Sequence, residues 1–177
     1  MIAVPSIPTL ETERMVLRGW REDDLDALVD LFGDADVCRF IGGTKDRAAT
    51  WRQLADYAGH WMLKGYGPYA LSLKENGELI GYCGPWDPVG KHEEPEITYG
   101  LRAAFHRKGL MSEAVRACVA YAYETLKWPS VLSFIDKDNA ASLGVVSKLG
   151  ARHDGDAHLY GVVPVQIWRY PRPVGVV

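Results

Sequence analysis

Glu96 to Ala114 reads EITYGLRAAFHRKGLMSEA, and this stretch decides the fold. Glu96 to Leu101 is short, β-branched and aromatic in part, as a strand requires. Beyond it Met111, Ala114, Val115, Cys118 and Ala122 repeat at helical spacing, which predicts a helix running to about Lys127 with those residues inward. Arg107-Lys108-Gly109 stands between the two elements. A helix amino terminus presents unpaired N–H groups and about half a positive charge. Gly109 allows close backbone approach there, and Arg107 and Lys108 add full charges. Strand, glycine turn and helix therefore form a candidate anion site that suits a pyrophosphate, with an ordinary basic turn as the alternative.

Working toward the amino terminus, Leu79–Gly84 and Tyr69–Leu73 flank Glu75-Asn76-Gly77-Glu78, where an Asn-Gly pair predicts a tight antiparallel hairpin. Ahead of it, a helix after Thr44 carries Trp51, Leu54, Ala55, Ala58 and Met62 on its expected core face. An earlier helix places Leu25, Leu28, Val29 and Phe32 inward. It begins at the acidic cluster Glu22-Asp23-Asp24 and follows a strand at Met15–Arg18. Toward the carboxy terminus, Val131–Ile135 reads as a strand. Asp138 or Asn139 caps a short helix ending near Gly150, and strands follow around Arg152 and at Val165–Tyr170. This order predicts an α/β (α+β) class, with a mixed, mostly antiparallel central sheet of roughly six to seven strands and helices on both faces. At 177 residues, with no linker or repeat, the chain is expected to be one domain, residues 1–177.

A net charge of −3 argues against nucleic acid as a partner, because phosphate-backbone binding needs a concentrated basic surface. Cys38, Cys83 and Cys118 form no CxxC pair, and the five histidines show no ligand spacing, so no metal site is expected. The opening MIAVPSIPTLETER lacks a basic region before an apolar run, and no stretch approaches the roughly 20 apolar residues of a membrane helix. The expectation is a cytoplasmic, soluble protein without membrane contact. GxxxxGK[ST], GxGxxG and GxSxG are all missing, which disfavours nucleoside triphosphate, dinucleotide and serine-hydrolase chemistry.

Four motifs in order resemble the GNAT acetyltransferases, in particular the branch of RimJ/RimL-type ribosomal-protein alanine acetyltransferases. They are TERMVLR, GYGPYALSLKENGELIGYCG, EITYGL followed by HRKGLMSEA, and NAASLGVVSKLGA, and together they span almost the whole chain. The resemblance implies the GNAT acyl-CoA acyltransferase fold, whose sheet is splayed at its centre. It implies acetyl-CoA as the cofactor, with the pantetheine arm between parallel strands Glu96–Leu101 and Val131–Ile135. The coenzyme would be bound by Ile97, Tyr99 and Leu101 of the strand, by His106, Arg107, Lys108, Gly109, Leu110, Met111 and Ser112 of the pyrophosphate loop, and by Asn139 and Ser142. His106 and Met111 depart from the family's loop pattern, which threatens local fit more than backbone binding. The family's usual aromatic is replaced by Ala151. The tyrosine that many members use to protonate the departing thiolate is replaced by Val146.

The expected function is transfer of the acetyl group directly to a primary amine, either a protein α-amine or a small-molecule amine. The alternative is a catalytically weak acyl-CoA-binding sensor or interaction protein on the same fold. Pairing of the chain into a homodimer stays open. Direct transfer needs a neutral amine, oxyanion stabilisation and a proton for the thiolate. Glu96 is the expected base, through water, with a solvated strand-end carboxylate as its alternative reading. Ser142 is the candidate proton donor, or an ordinary small helix residue. Glu93 and Glu94 read as loop charges, with attraction of a cationic acceptor as the alternative, and Trp20, Trp51, Trp61 and Trp86 as core or acceptor-pocket aromatics.

Overall fold

The computed structural model describes residues 6–173. Among them the chain forms β1 (Leu10–Glu11), β2 (Met15–Arg18), α1 (Leu25–Gly33), α2 (Ala35–Cys38) and α3 (Arg47–Lys64). Next come β3 (Tyr69–Leu73), β4 (Leu79–Trp86), β5 (Glu96–Leu101) and α4 (Leu110–Glu124). The chain then continues through β6 (Leu132–Ile135), α5 (Ala140–Lys148), β7 (Arg152–Leu159) and β8 (Val163–Arg169). The added strand relative to the sequence reading is β1, two residues that pair with β2.

Strands β1 to β5 form one antiparallel sheet in chain order, and β6, β8 and β7 form a second. The two meet where β5 and β6, joined by α4, lie side by side. No ladder pairs these strands among the described residues. Two side chains bridge them instead: Ser133 Oγ donates to the Ile97 carbonyl at 2.6 Å, and the Phe134 N–H donates to Glu96 Oε2 at 3.1 Å. Tyr170 donates in turn to Ser133 Oγ at 2.9 Å, since that hydroxyl has already spent its hydrogen on Ile97. The central sheet is thus split at its middle.

Helices cover both faces. Met15, Leu17, Leu71, Ile97, Val115 and Val146 pack in the core under α4 and α5. Leu28, Phe32, Tyr57 and Tyr82 pack in the core under α1 and α3. Gly100 serves this packing, because a Cβ there would stand 2.5 Å from the Tyr82 ring.

The α4 stripe is buried as its spacing predicts. The α3 stripe is not. Trp51 and Met62 are 44% and 45% exposed, and the buried face is Thr50, Leu54, Tyr57, His60 and Trp61. The helix starts after Thr44 as expected, at Arg47, where Asp46 accepts from the Ala49 N–H at 2.7 Å. Its inward polar groups are satisfied: Thr50 Oγ1 donates to the Asp46 carbonyl, and His60 Nδ1 bonds the Tyr66 carbonyl. Simple apolar periodicity misses a face built from Thr, Tyr, His and Trp. The hairpin turn differs too. Only Gly77 has positive φ, and its N–H bonds the Leu73 carbonyl across a four-residue loop.

Candidate active site

The anion-binding turn is built by two left-handed residues, Arg107 at φ 60° and Gly109 at φ 76°. This conformation is costly for arginine and ordinary for glycine. No side chain caps α4, so its first-turn N–H groups stay open for a ligand. The turn is held from below. Arg14 Nη1 donates to the Lys108 carbonyl at 2.9 Å, while Arg14 Nε donates to Glu113 Oε2 at 2.7 Å. Glu113 stays below the usual carboxylate range: burial would raise it, and hydrogen bonds from Thr12 and Arg14 outweigh that.

A cavity of about 810 Å³ opens above this turn. Tyr99, Gly100 and Leu101 line it from β5, Gly109 to Ser112 from α4, and Asn139 to Ser142 from the start of α5. Asp34, Asp36, Val37 and Arg39 to Ile41, around α2, also line it. His106 and Arg107 also line it. The His106 side chain turns back, with Nε2 donating to the Leu101 carbonyl at 2.8 Å, so its ring braces the loop. Lys108 is not among the lining residues, and its Nζ lies over the Phe105 ring, 5.3 Å from the centroid. Ile97 is fully buried in the core beneath the cavity.

The cations that do face Gly109 are ones the sequence reading missed. A Cβ on Gly109 would stand 3.6 Å from Arg14 Nη2 and 3.7 Å from Lys148 Nζ. Lys148 lies in the last turn of α5 and reads by itself as an ordinary helix-end charge. Arg14 lies about 95 residues upstream, and only the fold brings it here.

Asn139 caps α5, its Oδ1 accepting from the Ser142 N–H at 3.1 Å. This sets Ser142 at the cavity wall, one helical turn ahead of buried Val146. Close by, the Tyr99 hydroxyl is buried with no hydrogen-bond partner among the described residues. Burial pushes its pKa well above the ordinary phenol value; the Ser142 and Tyr170 hydroxyls lie near enough to pull it down in part, without reaching hydrogen-bond geometry. Tyr69 and Ser72 also carry unpartnered buried hydroxyls, but of the three only Tyr99 lines the cavity, where a ligand atom would relieve the cost.

Glu96 is not a solvated strand end. It is buried, with Oε1 paired to Lys91 Nζ and Oε2 accepting from Phe134 N–H. It does not line the 810 Å³ cavity. Along β5, successive side chains alternate faces, so Glu96 and Tyr99 emerge on opposite sides of the sheet. Glu96 lies beside Trp86, its register partner on β4, on the α1–α3 side. Tyr99 lies with Cys83 on the α4 side. Of the four tryptophans, Trp20 and Trp61 both donate to the Pro68 carbonyl, Trp51 is outside, and Trp86 meets Tyr57 edge-on and lies tilted against His60, near Glu96. Glu94 is held by the Arg169 guanidinium, which keeps it below the usual carboxylate range.

The acetyltransferase (GNAT) domain family matches residues 14–152. Two curated relatives from Bacillus subtilis are similar over most of their length. An uncharacterized protein, YkkB, is 30% identical over 81% of this chain and 85% of its own. An uncharacterized N-acetyltransferase, YoaA, is 26% identical over 86% and 88%. Among solved structures, an acetyltransferase from Agrobacterium tumefaciens superposes with a TM-score of 0.85 at 28% identity, covering 97% of this chain and 99% of that one. The RimL ribosomal α-N-protein acetyltransferase in complex with coenzyme A shares the fold at a TM-score of 0.73 and 18% identity, over 94% and 97% of the two chains. That distance does not single out the RimJ/RimL branch. With its split sheet, uncapped α4 turn and matching domain, the chain belongs to the GNAT family of acetyltransferases.

Proposed function

We propose that this enzyme takes the acetyl group of acetyl-CoA and passes it directly to a primary amine, with the amine and the coenzyme arriving from opposite faces of the split sheet. The observation that carries this reading is the uncapped α4 turn, where Gly109 is flanked by Arg14 and Lys148 under a cavity lined by an unpartnered phenol. These residues fit a phosphate-bearing thioester: open N–H groups and the Lys148 ammonium for the pyrophosphate, Arg14 bracing the turn through its pair with Glu113, and a hydroxyl donor deeper in. Acetyl-CoA supplies an activated acetyl group when bound.

The chain's own residues do the rest. Glu96 takes the proton from the acceptor ammonium on the α1–α3 face once Lys91 has left it. Tyr99 donates a hydrogen bond toward the reacting sulfur or carbonyl oxygen from the α4 face. Burial keeps this phenol protonated as a hydrogen-bond donor, and Ser142, at the cavity wall, relays a proton from water to the departing thiolate. The acceptor is a protein α-amine or a small-molecule amine. An α-amine asks less of the base, because deprotonation at pH 7 costs about 1 kcal/mol against nearly 5 for a lysine side chain. Cys38, Cys83 and Cys118 are buried and unpaired, which supports a cytoplasmic setting. No described helix is long and apolar enough to cross a membrane.

Release of free thiol from acetyl-CoA across a panel of amines, with mass-spectrometric identification of the product, tests the reaction. A catalytically weak acyl-CoA binder is the second reading, favoured by the occupied Glu96 carboxylate. Coenzyme binding without thiol release for any amine would establish it.

Two variants probe the cavity wall. Asn139→Ala removes the α5 cap, worth about 1 kcal/mol. Thermal melts should show a larger loss with acetyl-CoA present than without it. An equal loss would leave Asn139 only its structural role. Tyr99→Phe removes a buried hydroxyl that has no partner, so the free protein should melt at the same temperature or higher. Turnover should nevertheless fall roughly tenfold, the worth of one hydrogen bond to a developing charge. Unchanged turnover would remove Tyr99 from the chemistry.

A further inference from the structure

Lys91 sits in the loop between β4 and β5 and extends its ammonium to Glu96 Oε1. Its side chain is 13% exposed and that of Glu96 is 5% exposed, so the pair is withdrawn from solvent. The loop is tied down around it. The Lys91 carbonyl accepts from the Tyr160 N–H at 2.9 Å and the Lys91 N–H donates to the Pro88 carbonyl at 3.2 Å. The His92 ring packs on Phe134 at 4.5 Å, and Glu94 is paired to Arg169. A buried lysine–carboxylate pair contributes little net stability, since desolvation offsets the attraction. An amine held at the carboxylate that must deprotonate an amine has a chemical meaning that a structural pair does not.

We propose that Lys91 occupies the acceptor-amine seat and is itself acetylated by the enzyme when no other acceptor is present. This rests on the reading of Glu96 as the base. Glu96 sits at the split between the sheets, where its Oε2 accepts from Phe134 N–H on β6, and the reaction requires the Lys91 ammonium to meet the acetyl group across that split. The Lys91 ammonium gives one proton to Glu96, which passes it to solvent. The neutral Nζ attacks the acetyl carbonyl, the new N–C bond forms as the C–S bond breaks, and the second nitrogen proton ends on the sulfur as free thiol. The products are Nζ-acetyl-Lys91, coenzyme A and one released proton. The neutral amide no longer pairs with Glu96, and the carboxylate is then open to external amines. The seat accordingly suits a primary ammonium on an unbranched alkyl chain.

The test incubates the full-length protein with acetyl-CoA alone and maps acetylation by peptide mass spectrometry over time. Exposed Lys127 and Lys137 serve as internal controls for uncatalysed reaction. Lys91 should be acetylated at least tenfold faster than either, although it is less accessible. An amine that the enzyme accepts should slow the modification in proportion to its saturation. Lys91→Arg preserves the charge pair and the fold, and should abolish the fast phase. Lys91 modified no faster than the controls, in protein that releases thiol with an external amine, overturns self-acetylation and leaves the proposed function intact. Failure of the same protein to bind acetyl-CoA, read by thermal shift, overturns the proposed function itself and this inference with it.

Discussion

Glu96→Gln is expected to lower turnover by roughly a hundredfold or more at neutral pH while coenzyme affinity changes little. The variant keeps the shape of the side chain and its bond from the Phe134 N–H, and removes only the proton acceptor. It also strands the Lys91 ammonium, which is mostly buried. Breaking such a pair costs about 3 to 5 kcal/mol, so the single variant should melt on the order of 10 °C lower. Loss of activity in that variant alone would be ambiguous. The double variant Glu96→Gln/Lys91→Met removes both charges together and should recover most of the melting temperature. Its turnover should stay low. Raising the pH should partly rescue either variant, because a larger share of the acceptor amine then arrives neutral. Recovery of both stability and turnover in the double variant would show that Glu96 serves the fold and not the chemistry.

The sequence made β5, α4 and the glycine between them legible because each depends on local rules: alternation, helical spacing and a residue tolerant of positive φ. Asn139 was legible as a cap for the same reason. What escaped depends on long-range geometry. Arg14 and Lys148 reach Gly109 only because β2 and the end of α5 converge under the α4 turn. Lys108, adjacent in sequence to the anion site, is instead drawn onto Phe105. The partner of Glu96 is five residues upstream, in a loop whose path periodicity does not encode. The unpartnered Tyr99 hydroxyl was hidden because its surroundings come from α4 and α5, elements far along the chain. The missed face of α3 has a different origin. Its buried face carries Thr50, Tyr57 and His60, residues that count as polar until their hydrogen-bond partners are known.

Gly109→Glu should reduce coenzyme A affinity by roughly a hundredfold or more, and the way it does so differs from simple repulsion. Its Cβ would enter open space 3.6 Å from Arg14 Nη2 and 3.7 Å from Lys148 Nζ, so there is no steric clash to unfold the protein. The φ of 76° imposes strain of about 1 to 2 kcal/mol on any L side chain, and the melting temperature should fall by a few degrees. The new carboxylate then settles between the two cations and occupies the seat of the incoming phosphate. The charge-assisted hydrogen bond from Lys148 and one from the α4 first-turn N–H groups that the carboxylate displaces, at about 1.5 to 3 kcal/mol each, account for the hundredfold. Gly109→Ala carries the same strain without the charge and separates the two effects: its affinity should fall much less. Lys148→Ala should lose roughly tenfold, and more than Lys108→Ala, which reverses the order that sequence proximity suggests. Isothermal titration with coenzyme A measures all four. Wild-type affinity in a folded Gly109→Glu variant would move the pyrophosphate away from this turn.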